Sequence, residues 1–281
     1  MISRPHPKEL TQGTIFTCAA SENYGEVDVY GLIITARCDI ANGKAPIFSY
    51  IPLLSYMDWA VRDGAGIVAS RISANCSGEL RKIVKSAGLS DSVLETISTD
   101  LILDLLDKEK SKEGKVRSTR FRENLQKKSD CDEYLSTGSI QSAKAIISQS
   151  NGIYHGLVKE LVGNGVADFH YLDQIEFGKE PTGYVASLRE IRFMPARVAS
   201  RIIDGIDRQT YIALDGAANG GMHFRSDDDY AMPVGLLKSP FIEFLMQRLT
   251  TLFSRIGVTD ITSNRIESLK NAFSEIERVS K

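Results

Sequence analysis

What this chain lacks narrows it before any motif is read. In 281 residues there are four histidines and four cysteines. Cys18, Cys38, Cys76 and Cys131 form no Cys-x-x-Cys pair, and no two of His6, His155, His170 and His223 lie three or four residues apart. A zinc site of closely spaced ligands is therefore not expected, and ordinary reduced thiols are expected rather than a disulfide framework. No run approaches the roughly 18 apolar residues of a membrane span, and the first ten residues contain no apolar signal-peptide core. The expected location is the cytoplasm, without membrane contact. Neither Gly-x-x-x-x-Gly-Lys-Ser/Thr nor Gly-x-Gly-x-x-Gly occurs, and there is no Gly-x-Ser-x-Gly elbow, so the usual nucleotide-cradling loops and serine hydrolysis are not expected. Gly64-Ala-Gly66-Ile-Val-Ala69 is the nearest fragment, and it reads as a turn. No cofactor and no metal are expected. An excess of one charge is lacking too: the net charge is −2, so any nucleic-acid contact must come from a local patch.

What is present reads as α+β, with three zones: 1–56, 57–165 and 166–281. The first has strand runs at Thr14–Cys18, Val27–Thr35 and Ala45–Leu54, the last restricted by Pro46 and Pro52 to an edge or to strand ends. Residues 31–40 are read as one buried strand that delivers Cys38 and Asp39 to its end. The second zone reads as a helical insertion, with helices over Ser92–Leu106, Ile140–Gln149 and Ile153–Val162. Within it, 108–128 holds nine Lys and Arg against three Glu, and Gly114 is taken to separate two helices. The third zone returns to strands at Ala167–Ile175, Thr182–Phe193 and Gln209–Leu214. It then carries a helix with Ser239 as N-cap, Pro240 at its first position and Gly257 at its end. A last helix is placed over Ser263–Val279. The expected architecture is a small SH3-like antiparallel barrel or sheet, interrupted by the helical insertion, with the C-terminal helices packed on it. Two separate domains fit the same order.

Four features could carry chemistry. Arg37, Cys38 and Asp39 end the 31–40 strand. A thiol near Arg37 can act as a nucleophile, or Cys38 is a small buried hydrophobe and Asp39 caps the turn at Asn42-Gly43. His170 follows Asp168 by two residues, so a carboxylate could orient its imidazole; the alternative is a half-buried strand position. Lys115, Arg117, Arg120, Arg122, Lys127 and Lys128 cluster around Phe121, which suits phosphate contact with a stacking aromatic; the alternative is a solvated helical connection. The apolar stripe within 241–256, containing Phe241, Phe244, Leu245, Leu249, Leu252, Phe253 and Ile256, is core or an oligomer contact. Asp227-Asp228-Asp229 reads as a solvated loop.

Gly13-Thr-Ile-Phe16 with Leu32-Ile-Ile-Thr-Ala-Arg-Cys-Asp-Ile40 resembles a group of uncharacterised bacterial proteins that carry a Thr-x-x-Cys-Asp-Ile/Leu strand. Gly235-Leu-Leu-Lys-Ser-Pro-Phe-Ile-Glu-Phe-Leu-Met-Gln-Arg-Leu249, ending in Phe253-Ser-Arg-Ile-Gly257, resembles the same group's C-terminal helix. The opening pattern is more loosely similar to the SH3-like barrels of PemK and MazF toxins, which cleave or bind RNA. The resemblance implies a bacterial accessory protein of a phage-defence or toxin–antitoxin-like system and names no reaction. Two functions are carried forward. One is a protein that binds a partner protein, or RNA or DNA through 108–128. The other is a toxin-like nuclease or hydrolase with its site around Arg37, Cys38 and Asp39, joined by His170 or His223.

Overall fold

The structure, a computed structural model, describes residues 1–214 and 220–254. Its strands are β1 (Ile2–Ser3), β2 (Thr14–Phe16), β3 (Val29–Ile33), β4 (Ile47–Ser55), β5 (Phe169–Leu172), β6 (Tyr184–Ser187), β7 (Arg192–Pro195), β8 (Ile206–Asp207), β9 (Tyr230–Ala231) and β10 (Pro233–Leu237). One curled antiparallel half-barrel sheet runs β1-β10-β2-β3-β4-β6-β5, with β7 also paired to β4; β8 and β9 form a separate ladder. The strands on either side of the helical stretch therefore share a sheet, and the fold is α+β.

The helices are α1 (Arg37–Ala41), α2 (Tyr56–Trp59), α3 (Ala65–Ser86), α4 (Val93–Thr96), α5 (Thr99–Asp107), α6 (Lys112–Thr137), α7 (Ile140–Gln149), α8 (Asn151–Val162), α9 (Ala196–Ile202), α10 (Arg208–Ala213) and α11 (Phe241–Phe253). A π-helical turn, Ala60–Gly64, joins α2 to α3. Strand alternation gives the sheet two apolar faces. Ile15, Leu32, Ile51 and Leu53 meet Ile242, Leu245 and Leu249 of α11 on one face. Phe16, Ile33, Tyr50 and Leu54 share the other face's core with Val68, Ala69, Ile72 and Cys76 of α3. Farther along α3, Leu80, Ile83 and Val84 build a satellite core with Ile102, Leu106 and Phe121.

Several expectations are corrected. The strand expected over 31–40 ends at Ile33, and Arg37, Cys38 and Asp39 stand exposed on α1. Thr35 is the cause: its Oγ1 accepts the Ser49 N–H at 2.6 Å, where a continuing strand would offer a carbonyl. The chain then turns, with the Asp39 and Ile40 amides donating to the Ala36 carbonyl. β4 is a central strand, not an edge. Ile34 donates to the Ser49 carbonyl, so Gly31 and Pro52 face each other as a non-bonded pair. The nitrogen of Pro52 then points to the other side of β4, between the segment paired with β7 (Ile47 to Tyr50) and that paired with β6 (Leu53 to Ser55). The missing donor falls where no ladder partner exists.

Gly114 lies inside α6, whose amide there donates to the Ser111 cap. Gln209–Leu214 is mostly the helix α10, capped by Asp207, whose side chain accepts from the Thr210 amide. The N-cap of α11 is Pro240 rather than Ser239. On α11 the buried line is Ile242, Leu245 and Leu249, while Phe241, Phe244 and Phe253 are exposed. Ile256, Gly257, the helix placed over 263–279 and residues 215–219 lie outside the described residues.

Candidate functional site

Between the sheet and the start of α3 opens a cleft of about 830 Å³. Four distant segments wall it: Glu22 to Tyr24, Arg62 and Asp63 with the first turns of α3, Val166 to Phe169, and Ser187 to Glu190. The π-helical turn places the charged pair. One extra residue per turn shifts the side chains out of α-helical phase, and such turns are frequent at functional sites. Gly64 closes it, because a Cβ there would stand 3.1 Å from the buried Trp59 ring.

Tyr24 donates to Asp63 Oδ2 at 2.6 Å. Asp63 Oδ1 accepts no hydrogen bond among the described residues. Burial pushes the Asp63 carboxyl above the ordinary aspartate range, the negative charge of Glu190 adds to the rise, and the Tyr24 bond and Arg62 oppose it. Glu190 is held by Ser21 Oγ at 2.7 Å, by the Glu22 amide at 2.8 Å and by Arg192 Nε at 2.8 Å. The loop at 21–24 thus bridges both carboxylates. Arg62 donates to the Asn23 carbonyl and lies 5.1 Å over the Tyr24 ring. Arg189 pairs with Asp168 at 2.7 Å, and Arg71 makes a two-pronged pair with Glu160 at 2.9 and 2.6 Å.

The residues expected to form a catalytic site are not brought together. Cys38 Sγ is 3.7 Å from Asp39 Oδ1 on the exposed α1, and the charge of Arg37 acts on Glu243 of α11. His170 is buried on β5, where Arg248 donates to its Nδ1 at 3.1 Å. Burial, with the Arg248 charge second, pushes its pKa down to about 4, so near neutrality its imidazole is uncharged. No hydrogen bond or ion pair joins it to Arg37, Cys38 or Asp39. Cys18 is the thiol that lines a cavity with His223, one of about 210 Å³. Burial pushes that thiol up to about 11, away from the thiolate a nucleophile needs, and His223 Nε2 is engaged with the Gly25 carbonyl at 2.8 Å.

The basic helix is largely neutralised by its neighbours. Arg117 pairs with Glu109, Arg120 with Glu79 at 2.9 Å, Arg122 with Asp107 and Lys128 with Asp132. Lys115 and Lys127 have no ion pair among the described residues. Phe121, expected to stack on a base, is fully buried in the satellite core. The acidic loop is turn chemistry: Asp229 accepts from the Arg225 and Ser226 amides at 2.6 and 2.9 Å. The sequence signal for the cleft was Arg62-Asp63-Gly64, a charged pair interrupting the apolar run from Trp59 to Val68. The turn read at Gly64 to Ala69 is instead the end of the π-helical turn and the start of α3, and that reading hid it.

No family model, no curated protein and no solved structure matches this chain.

Proposed function

We propose that this chain is a bacterial accessory protein of a phage-defence or toxin–antitoxin-like system that acts by binding a partner protein in the cleft at the π-helical turn. The bacterial and defence part rests on the resemblance carried by residues 32–40 and 235–249. We take the curled half-barrel as SH3-like on the looser likeness of Gly13–Phe16 and Leu32–Thr35 to the PemK and MazF barrels, and the cytoplasm as the default location. The observation that carries the binding reading is the cleft itself, a cavity of about 830 Å³ whose walls mix charged side chains with Ile67, Val166 and Phe169, within the size range of specific ligand sites. Its lining holds the acids Glu22, Asp63, Asp168 and Glu190 against Arg62, Arg71 and Arg189. That balance repels a phosphate backbone and suits a polar protein segment. RNA or DNA contact through 108–128 is the weaker form of the proposal, since four of its six named cations are already paired.

Two charge-reversal variants test it, one at Arg62 and Arg189, the other at Arg117, Arg120 and Arg122, each checked for folding by circular dichroism. Affinity purification from the source cell with quantitative mass spectrometry, beside oligonucleotide binding, reads the result. The cleft variant loses the enriched partner and the helix variant keeps it. Loss in the helix variant alone, or oligonucleotide binding that only this variant abolishes, overturns the cleft as the working surface. The toxin-like hydrolase at Arg37, Cys38 and Asp39 draws no support from the exposed position of α1. Loss of RNA cleavage or toxicity in a folded Asp39→Ala variant would restore it.

A further inference from the structure

Unlike Asp168 and Glu190 in the same cleft, Asp63 has no cation bonded to its carboxylate among the described residues. The guanidiniums around it are committed elsewhere: Arg62 to Asn23 and the Tyr24 ring, Arg189 to Asp168, Arg71 to Glu160 and Arg192 to Glu190. Asp63 is half-buried, one oxygen is taken by Tyr24, and the like charge of Glu190 raises its carboxyl more than the charge of Arg62 lowers it. A desolvated carboxylate beside another anion and without a paired cation is costly to hold. A ligand cation arriving at the free oxygen relieves desolvation and repulsion together.

The single free oxygen selects the kind of cation. A guanidinium binds a carboxylate best through both oxygens, whereas an ammonium is a compact donor that needs only one. Glu22, which also lines the cleft, is exposed and its carboxylate has no paired cation among the described residues. It adds negative potential at the rim. The lining includes Ile67, Val166 and Phe169, apolar surface against which the four-carbon stem of a lysine can lie while its head reaches an acceptor.

We propose that the cleft is a lysine pocket, in which Asp63 Oδ1 accepts a hydrogen bond from the ammonium of a lysine carried by the partner segment and Glu22 guides it in. This rests on the cleft being the binding surface and names the chemistry of what enters it.

The test is a titration of the full chain with Nα-acetyl-lysine methylamide, followed by backbone amide NMR shifts at 21–24 and 62–64. Wild-type protein shifts saturably. The neutral Nε-acetyl analogue binds roughly tenfold more weakly or worse, as expected when a charge-assisted hydrogen bond is lost. Asp63→Asn, which keeps an acceptor for Tyr24, weakens the lysine probe by a similar factor, and Glu22→Gln by about threefold, as for an exposed charge. Should Asp63→Asn fail to fold, the acetylated probe on wild-type protein still decides. Unmoved amides, equal binding of the neutral analogue, or tighter binding of the arginine analogue overturns the lysine assignment. If the lysine probe fails while the Arg62 and Arg189 reversal still costs the chain its partner, the assignment falls and the binding cleft stands. If the probe binds as described but cleft variants leave partner capture intact, the cleft takes a free amine and the partner-binding reading falls instead.

Discussion

Stability should drop between pH 6.5 and 4 because of one residue, His170. It is buried against α11, with Arg248 donating to Nδ1 and Phe244 edge-on at 5.5 Å. The folded protein holds its pKa at about 4, against 6.5 for an unperturbed histidine. Within that window the unfolded chain takes up a proton that the folded chain refuses, so lowering the pH favours unfolding. Above 6.5 the imidazole is neutral in both states and costs nothing; below 4 the loss is complete. At about 1.4 kcal/mol for each pH unit separating the two values, the full loss is about 3.5 kcal/mol, and linkage places about 2.5 kcal/mol of it by pH 4.5. The assay is urea unfolding from pH 7.5 to 4.5 on wild-type protein and on His170→Asn, which leaves Arg248 an acceptor and removes the titration. Lost contact with Phe244 lowers the variant's stability equally at every pH, and all other titrating groups are common to both chains. The gap between the two curves should therefore narrow, on acidification, by about 2.5 kcal/mol. Parallel curves, within about 0.5 kcal/mol, would refute the burial of a neutral imidazole.

Three further outcomes follow from the same geometry. Gly31→Ala puts a Cβ 2.3 Å from the Phe16 ring, and thermal melting should show about 2–3 kcal/mol of destabilisation from overpacking between two central strands. Asp63→Asn should raise the melting temperature at pH 7, since a carboxyl whose folded pKa is raised costs stability once pH exceeds its unfolded value, as at a site built for ligand rather than stability; a lower melting temperature would contradict the unpaired charge. Arg248→Met strips the donors from the Val166 and Phe169 carbonyls and from His170, and denaturant unfolding should report a loss of about 2–4 kcal/mol.

Local pattern made the sheet's first strands legible: the apolar runs at Thr14, Val29 and Ile47 became β2, β3 and β4, and α7 occupies the span its periodicity marked. Pairing did not show. Pro52 suggests an edge only to a reader who cannot see that β4 changes partner from β7 to β6 at that residue. Thr35 misled in the other direction, because a β-branched residue that extends a strand pattern used its hydroxyl to end the ladder. Phe121 looked like a stacking platform on a basic helix until α3 and α5 closed over it. The cleft was the least legible part. Glu22, Asp63, Asp168 and Glu190 are each ordinary surface acids in the sequence, and only the sheet's return through β5 and β6 puts them around one cavity.

A photo-crosslinking amino acid at Ser70, exposed in the cleft wall, compared with one at Thr119, exposed on α6, tests the cleft most directly. In the source cell the Ser70 probe should trap one discrete protein adduct, lost when Arg62 and Arg189 are reversed, and the Thr119 probe should trap none. An adduct from Thr119 alone, whether protein or nucleic acid, would place the working surface on the basic helix and contradict the assignment of the cleft.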